Sequence, residues 1–280
     1  MKIVYFGCDA YMECLDVFLS HDHDILAIFT TGDSRSNKNI IEYAKNKRIQ
    51  CINKKPTKLH IQMFEAMGAN CFYSCEYQYI IPLPSPKVLT LNVHPTLLPH
   101  GRGPTPLFHL ILQYPEFAGI TFHKLSNQFD EGDVIFQSPI NIDKDECLES
   151  LIVKLHYLIP HYLEIVLNNL SKLYENSIPQ CAGSYWPKKT LQDRLLNWHD
   201  DIEKINLMIR AFGQFGVITY IVHEAWLVNH VITRKINHSN SFGTIIIHDH
   251  KTCVIAVSEG IVIIYKDSIL ERYNHHLKAQ

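Results

Sequence analysis

"MKIVYFG", residues 1–7, is a short run of β-branched and aromatic residues closed by a glycine, and the segment after it, through Leu19, sets Met12, Leu15, Val17 and Phe18 at helical spacing. A strand that passes through a glycine into a helix is the opening of a βαβ unit. The pattern repeats: Asp24–Thr30 reads as a strand, roughly 38–47 as a helix, Ile49–Ile52 as a strand, Met63–Met67 as part of a helix, and Cys71–Ser74 and Val88–Val93 as strands. Alternation at this spacing predicts an α/β fold, a Rossmann-like, mostly parallel sheet with helices on both faces. Ligands of such sheets sit beyond the carboxyl ends of the strands, and Asn92 lies at one such end.

Two further strand runs, Gly119–Leu125 and Val134–Ile140, flank a polar turn, Ser126-Asn-Gln-Phe-Asp-Glu-Gly-Asp133, and a long helix is expected over roughly 146–173. The composition then shifts. Residues 184–199 read as a linker, Asp200–Phe212 as a helix and 217–270 as short strands with turns, which suits a small C-terminal β-barrel of OB type over 200–280 behind a catalytic domain over 1–183.

At 280 residues with 46% hydrophobic and 19% charged residues the composition is that of a globular protein, and a formal charge of -2 offers no global field to gather nucleic acid or an anionic membrane. The first residues are too short an apolar run for a signal peptide, and no other apolar run is expected to span a membrane. The eight cysteines form no C-x-x-C pair and read as reduced, mostly buried thiols, so a cytoplasmic protein is expected. His21-Asp-His-Asp24 and His248-Asp-His250 offer only neighbouring ligands and read as solvated loops, with no metal expected.

The chemistry concentrates in "LNVHPTLLPHGRGPTP", residues 91–106. Asn92 and His94 are two apart on a strand and point to the same side. An amide can donate to a developing oxyanion and an imidazole can move a proton near neutral pH. A carboxylate to accompany the imidazole is available at Asp130, with Asp133 as the competitor. His109 and His123 read either as cleft residues or as side chains satisfied by backbone groups, with His123 the more structural of the two. With no P-loop, no G-x-G-x-x-G and no nucleophile elbow, direct transfer to an acceptor supplied by the substrate is the simplest use of such a set.

The three segments Asn92-Val-His-Pro-Thr-Leu-Leu-Pro-His-Gly-Arg-Gly-Pro104, Gly119-Ile-Thr-Phe-His123 and Phe129-Asp-Glu-Gly-Asp-Val-Ile135, in this order and spacing, resemble the 10-formyltetrahydrofolate-dependent formyltransferase family. Tyr185-Trp-Pro-Lys-Lys189, Leu196-Asn-Trp198 and Ile209-Arg-Ala-Phe212 resemble the linker and barrel of its methionyl-tRNA and amino-arabinose branches, so the likeness covers nearly the whole chain. It implies a catalytic triad of Asn92, His94 and Asp130, a folate subsite at Tyr77, Tyr79, Ile80, Gln128, Phe129 and Asp133, and acceptor contacts at Gly7, Asp9, Tyr11, Arg102, Thr105 and Trp186. Arg102 either braces the catalytic loop or meets the acceptor, and bracing is favoured. The donor implied is 10-formyltetrahydrofolate. One departure is that Gly101 stands where the family has a tyrosine; another is that Phe212-Gly-Gln-Phe-Gly216 lacks the family's proline-containing turn.

Methionyl-tRNA formyltransferases carry a long basic insertion after the second strand, where this chain has only Thr31-Gly-Asp-Ser-Arg-Ser-Asn-Lys-Asn39. Phosphate contacts need clustered lysines and arginines, so a small amino sugar, presented as a nucleotide-linked 3-amino- or 4-amino-deoxysugar for surface polysaccharide, is the expected acceptor. The alternatives are methionyl-tRNA or a small amine such as a siderophore precursor. A formyltetrahydrofolate hydrolase is disfavoured because no regulatory domain is expected ahead of Met1, and a dead scaffold because all three triad residues are present. No membrane partner is expected. A homodimer is expected to be possible through exposed strand edges.

Overall fold

A computed structural model describes residues 1–32, 36–222 and 224–274. The chain divides into two compact units: Met1–Pro106 with Glu116–Asn141 and Ile152–Pro187, and Leu107–Pro115 with Ile142–Leu151 and Lys188–Gln280.

The first unit is built on seven strands: β1 (Lys2–Gly7), β2 (Asp24–Phe29), β3 (Gln50–Ile52), β4 (Cys71–Cys75), β5 (Leu89–Thr96), β6 (Ala118–His123) and β7 (Val134–Pro139). They lie in the order β3-β2-β1-β4-β5-β6-β7, parallel from β3 through β5 and antiparallel at β6 and β7. The helices α1 (Glu13–Ser20), α2 (Lys38–Lys47) and α3 (Lys58–Ala66) make the crossovers between the parallel strands. β1 and β4 are buried at nearly every position, as parallel strands covered on both faces must be. Their aromatic rings make the core: Phe6 stacks on Phe29 at 5.0 Å between centroids, and Tyr77 meets Phe6 edge-on at 5.6 Å.

Strand order reverses between β1 and β4, where such sheets open a crevice at their carboxyl ends. β5 is longer than the sequence implied. Asn92 lies inside it rather than at its end, because Val93–Thr96 continue pairing with β6.

After α4 (Pro106–Leu112), helix α5 (Leu148–Asn168) spans 21 residues and α6 (Leu170–Glu175) follows. With an 18-residue window of mean hydropathy 1.2, α5 is long and apolar enough to cross a membrane by length and composition, contrary to the expectation that no run was. Its apolar side chains recur every three or four residues, and Leu151, Leu155, Ile159, Leu163 and Val166 are buried, the stripe of a core-facing helix.

In the second unit, α7 (Ile202–Phe212) is capped by Asp201, whose carboxylate accepts from the Lys204 N–H at 2.7 Å. It is followed by β8 (Val217–Ile221), β9 (Glu224–Val228), β10 (Ile232–Lys235), β11 (Ile245–His248), β12 (Thr252–Val257), β13 (Gly260–Tyr265) and β14 (Ile269–Asn274). These form a small β subdomain of two antiparallel sheets, β10-β13-β12-β11 and β14-β9-β8, over a core that includes Phe212, Trp226, Ile255 and Ile264.

Candidate active site

The register of the sheet assembles the site. Ser74 on β4, Asn92 on β5 and His123 on β6 are direct neighbours across three strands. His94, two residues beyond Asn92, shares its side of the sheet. Asp130 reaches the same place from the loop between β6 and β7, with its backbone in the left-handed region at φ 58.

Asn92 Nδ2 and His123 Nε2 are 2.9 Å apart, and His123 Nδ1 is 2.8 Å from the Lys124 carbonyl oxygen. A carbonyl only accepts, so His123 carries its proton on Nδ1 and presents a lone pair at Nε2 to the Asn92 amide. His94 Nε2 donates in the same way to the Gly101 carbonyl at 2.8 Å, leaving Nδ1 as the atom that can take or give a proton. Asp130 Oδ1 stands 3.5 Å from that Nδ1 and 3.7 Å from His123 Nε2, while Oδ2 accepts from the Gly103 N–H at 3.0 Å. Burial pushes the Asp130 carboxyl up, but the neighbouring His94 and His123 rings and the Gly103 N–H outweigh it, so the carboxyl is held well below the usual carboxylate range. Asp130 is therefore a counter-charge beside the working nitrogen. The hydrogen bond that orients the ring comes from Gly101 instead.

Gly101 has φ +75, and a Cβ there would lie 2.7 Å from the Trp186 ring and 2.8 Å from Thr96 Cγ2. Glycine in the place of a tyrosine is thus what lets the loop close on Trp186 and aim its carbonyl at His94. Gly132 is needed for a different reason: a Cβ would lie 1.7 Å from the Lys124 carbonyl oxygen, so a side chain would force apart the turn that carries Asp130. The same turn is tied down by Gln180, whose Nε2 donates to the carbonyls of Asp130 and Gly132 at 2.9 and 2.7 Å. Gln180 Oε1 in turn accepts from Arg102 Nε and Nη2 at 3.1 and 2.8 Å, and Arg102 Nη1 stands 3.5 Å from Glu131. Arg102 thus ties its loop, through Gln180, to the turn that carries Asp130.

A cavity of about 300 Å³ opens on Asn92, His94 and Asp130, within the range of small-ligand sites. Asn92, His94, Asp130 and His123 are among its lining residues, and Tyr77, Tyr79, Ile80, Ile81, Leu125, Gln128, Phe129 and Tyr185 make its other walls. Tyr77 and Tyr79 meet edge-on at 5.7 Å and Phe129 is 47% exposed, so flat apolar surface is on offer to a planar ring.

Other residues singled out in the sequence do not line this cavity. Asp133 pairs with Lys124 at 3.2 Å and Trp186 is buried under Gly101. Arg102 and Thr105 lie on the loop around the site, and Gly7, Asp9 and Tyr11 lie at the end of β1. There the Asp9 carboxylate accepts from the N–H groups of Asn39 and Ile40, at 3.2 and 2.8 Å, capping α2. His109 is buried on α4 in the second unit. His123, read from the sequence as structural, is satisfied by the Lys124 carbonyl at Nδ1 and also lines the cavity; its position opposite Asn92 depends on strand pairing, which the G-I-T-F-H run alone does not reveal. Glu76 also lines the cavity; it lies within the Cys75–Ile80 segment that the family likeness implies for the folate, without a role of its own there.

The sequence pattern of the formyl transferase family matches residues 27–166, and that of the formyl transferase C-terminal domain matches 188–271. This chain belongs to the formyl transferase family. Among curated relatives, the methionyl-tRNA formyltransferase of Prochlorococcus marinus (strain MIT 9515) is 30% identical over 209 residues, 70% of this chain but only 63% of that protein. That of Buchnera aphidicola subsp. Baizongia pistaciae is 27% identical over 286 residues, covering 94% of this chain and 87% of its own. Among solved structures, WlaRD, described as a sugar 3N-formyl transferase with dTDP and 5-N-formyl-THF, superposes with TM-score 0.66 at 18% identity, over 97% of this chain and 98% of its own. The N-formyltransferase of Helicobacter canadensis in complex with folinic acid and dTDP-3-aminofucose gives 0.61 at 18%, over 97% and 99%. HypX from Aquifex aeolicus gives 0.64 at 16%, over 98% of this chain but 46% of that one. At these identities the structural likenesses establish the fold.

Proposed function

We propose that this formyl transferase moves the formyl group of 10-formyltetrahydrofolate to the primary amine of a nucleotide-linked 3-amino- or 4-amino-deoxysugar. Bound in the cavity, the donor supplies an activated formyl carbon, and the aromatic walls at Tyr77, Tyr79 and Phe129 suit its bicyclic ring. His94 takes the proton of the attacking amine at Nδ1 and returns it to N10 of the donor as the bond between N10 and the formyl carbon breaks and tetrahydrofolate leaves; Asp130, 3.5 Å away, offsets the positive charge the ring carries in between. Asn92 spends one Nδ2 hydrogen on His123 and keeps the other for the negative charge that develops on the formyl oxygen.

The observation that carries the sugar reading is the shortness of the connection from β2 to α2. Thr30 Oγ1 donates to Asn37 Oδ1 at 2.6 Å, and Asn37 Nδ2 donates to the Thr31 carbonyl at 2.7 Å and to Thr31 Oγ1 at 2.8 Å. This buried network draws the two ends of the loop together. Its remainder holds a single basic residue, Arg35, which with Asp33 and Ser34 lies outside the described residues. A basic arm for tRNA phosphates has no room there.

The names of the sequence relatives favour a second reading, methionyl-tRNA as acceptor. An assay with 10-formyltetrahydrofolate and a panel of dTDP- and UDP-linked amino sugars beside methionyl-tRNA separates the two. Turnover of methionyl-tRNA with none of any sugar would falsify the sugar reading. Thiol usage and the reaction proposed both suit a cytoplasmic enzyme.

A further inference from the structure

The carboxylate of Glu76 lines the same cavity and has no part in the chemistry above. Glu76 follows β4 directly, and because Cys75 is paired with Val93 it emerges beside His94. Its backbone sits at φ 53, a conformation that L side chains rarely adopt and that costs about 1 kcal/mol or more. Glu76 is exposed, and solvent reaches its side chain along the cavity wall. Loss of part of its hydration against that wall, and secondarily the charge of Asp130, raise its pKa.

Among the described residues Glu76 has neither a hydrogen-bond nor an ion-pair partner. Cys8, Tyr11, Cys75 and Asp130 feel its charge. The cavity is lined by no lysine or arginine, and its two histidines are turned toward Asp130 and Asn92. A carboxylate held in a strained conformation on the cavity wall near a second carboxylate, with no protein cation paired to it, is matched by a ligand that brings positive charge or several N–H donors.

Resting on the formyl-transfer reading, we infer that Glu76 docks the protonated amine of the acceptor and so makes the cavity selective for a cationic amine over its neutral counterparts. An aliphatic amine is protonated at neutral pH, and an ammonium group held by Glu76 lies in the same cavity as the His94 Nδ1 that must later take a proton from it. The N–H edge of a pterin ring carries related chemistry, so the test separates donor from acceptor.

The experiment is calorimetric binding, with 5-formyltetrahydrofolate present as a non-transferring donor. The probes are a dTDP-linked 3-amino sugar, a UDP-linked 4-amino sugar and methionyl-tRNA, each beside its N-acetyl form. The wild type should prefer the amine over its N-acetyl form by roughly ten- to a hundred-fold, the range of a hydrogen bond to a charged group. In Glu76→Gln that preference should collapse to near unity with donor affinity unchanged, and Glu76→Asp, which keeps the charge, should retain most of it. A preference that survives in Glu76→Gln overturns the inference. So does a loss confined to donor affinity, which would assign Glu76 to the folate. If the wild type binds none of the three amines, the formyl-transfer reading itself fails and the inference with it.

Discussion

Replacing Gly101 with alanine tests the geometry of the site most sharply, because a single methyl group acts on both stability and catalysis. The left-handed backbone at φ +75 costs a residue with a side chain about 1–2 kcal/mol. Reduced freedom of the unfolded chain returns about 0.4–1 kcal/mol of that. The methyl would also lie 2.7 and 2.9 Å from ring carbons of Trp186 and 2.8 Å from Thr96 Cγ2. Trp186 is only 5% exposed and has little space to yield, so overpacking adds roughly 1–3 kcal/mol. The net is about 1–5 kcal/mol, which for a unit of this size lowers the melting temperature by roughly 2–18 °C. Any shift of the loop also withdraws the carbonyl that holds His94 Nε2, so kcat should fall while donor KM stays near the wild-type value. Thermal melting followed by circular dichroism, together with steady-state kinetics, reads both effects. A variant that melts within about 1 °C of wild type with unchanged kcat would refute the claim that Gly101 is required for close contact with Trp186 and for aiming its carbonyl at His94.

Asn92→Ala removes an oxyanion donor and should lower kcat by about 10²-fold or more with little change in the melting temperature. His123→Ala leaves that amide without the lone pair that fixes it at 2.9 Å, and a smaller fall in kcat, partly rescued by His123→Gln through its amide oxygen, is expected from the same kinetics. Gln180→Ala frees the carbonyls of Asp130 and Gly132 and the Arg102 fork together, and should cost about 1–3 kcal/mol in urea unfolding besides lowering kcat. Asp130 has a folded-state pKa depressed below its unfolded value of about 3.9, so the stability it contributes is present above that value and is lost as pH falls below it. Melts of wild type and Asp130→Asn across pH should accordingly differ most near neutrality and converge below about pH 4.

The parallel half of the sheet could be read from the sequence because each strand is a compact apolar run and each crossover carries its own helical spacing. Asn92, His94 and Asp130 were found through motifs whose order survives in a linear reading. What the sequence did not disclose depends on pairing and on backbone conformation. His123 enters the site because β6 runs antiparallel to β5 and sets it opposite Asn92. Glu76 enters because one residue takes a left-handed turn as β4 ends. The Gly101 carbonyl has no side-chain signature at all; only the missing tyrosine marked the position. Asp9, expected near the acceptor, is held at the start of α2 by two backbone N–H groups, a capping role that looks the same in sequence as a binding one.

The most direct measurement is formyl transfer from 10-formyltetrahydrofolate, followed by the mass gain of one formyl group on a nucleotide-linked amino sugar, for wild type and His94→Ala side by side. The account predicts product with the wild type and a loss of at least about 10²-fold in the variant, the range of general-base catalysis. Equal product from both proteins would contradict it.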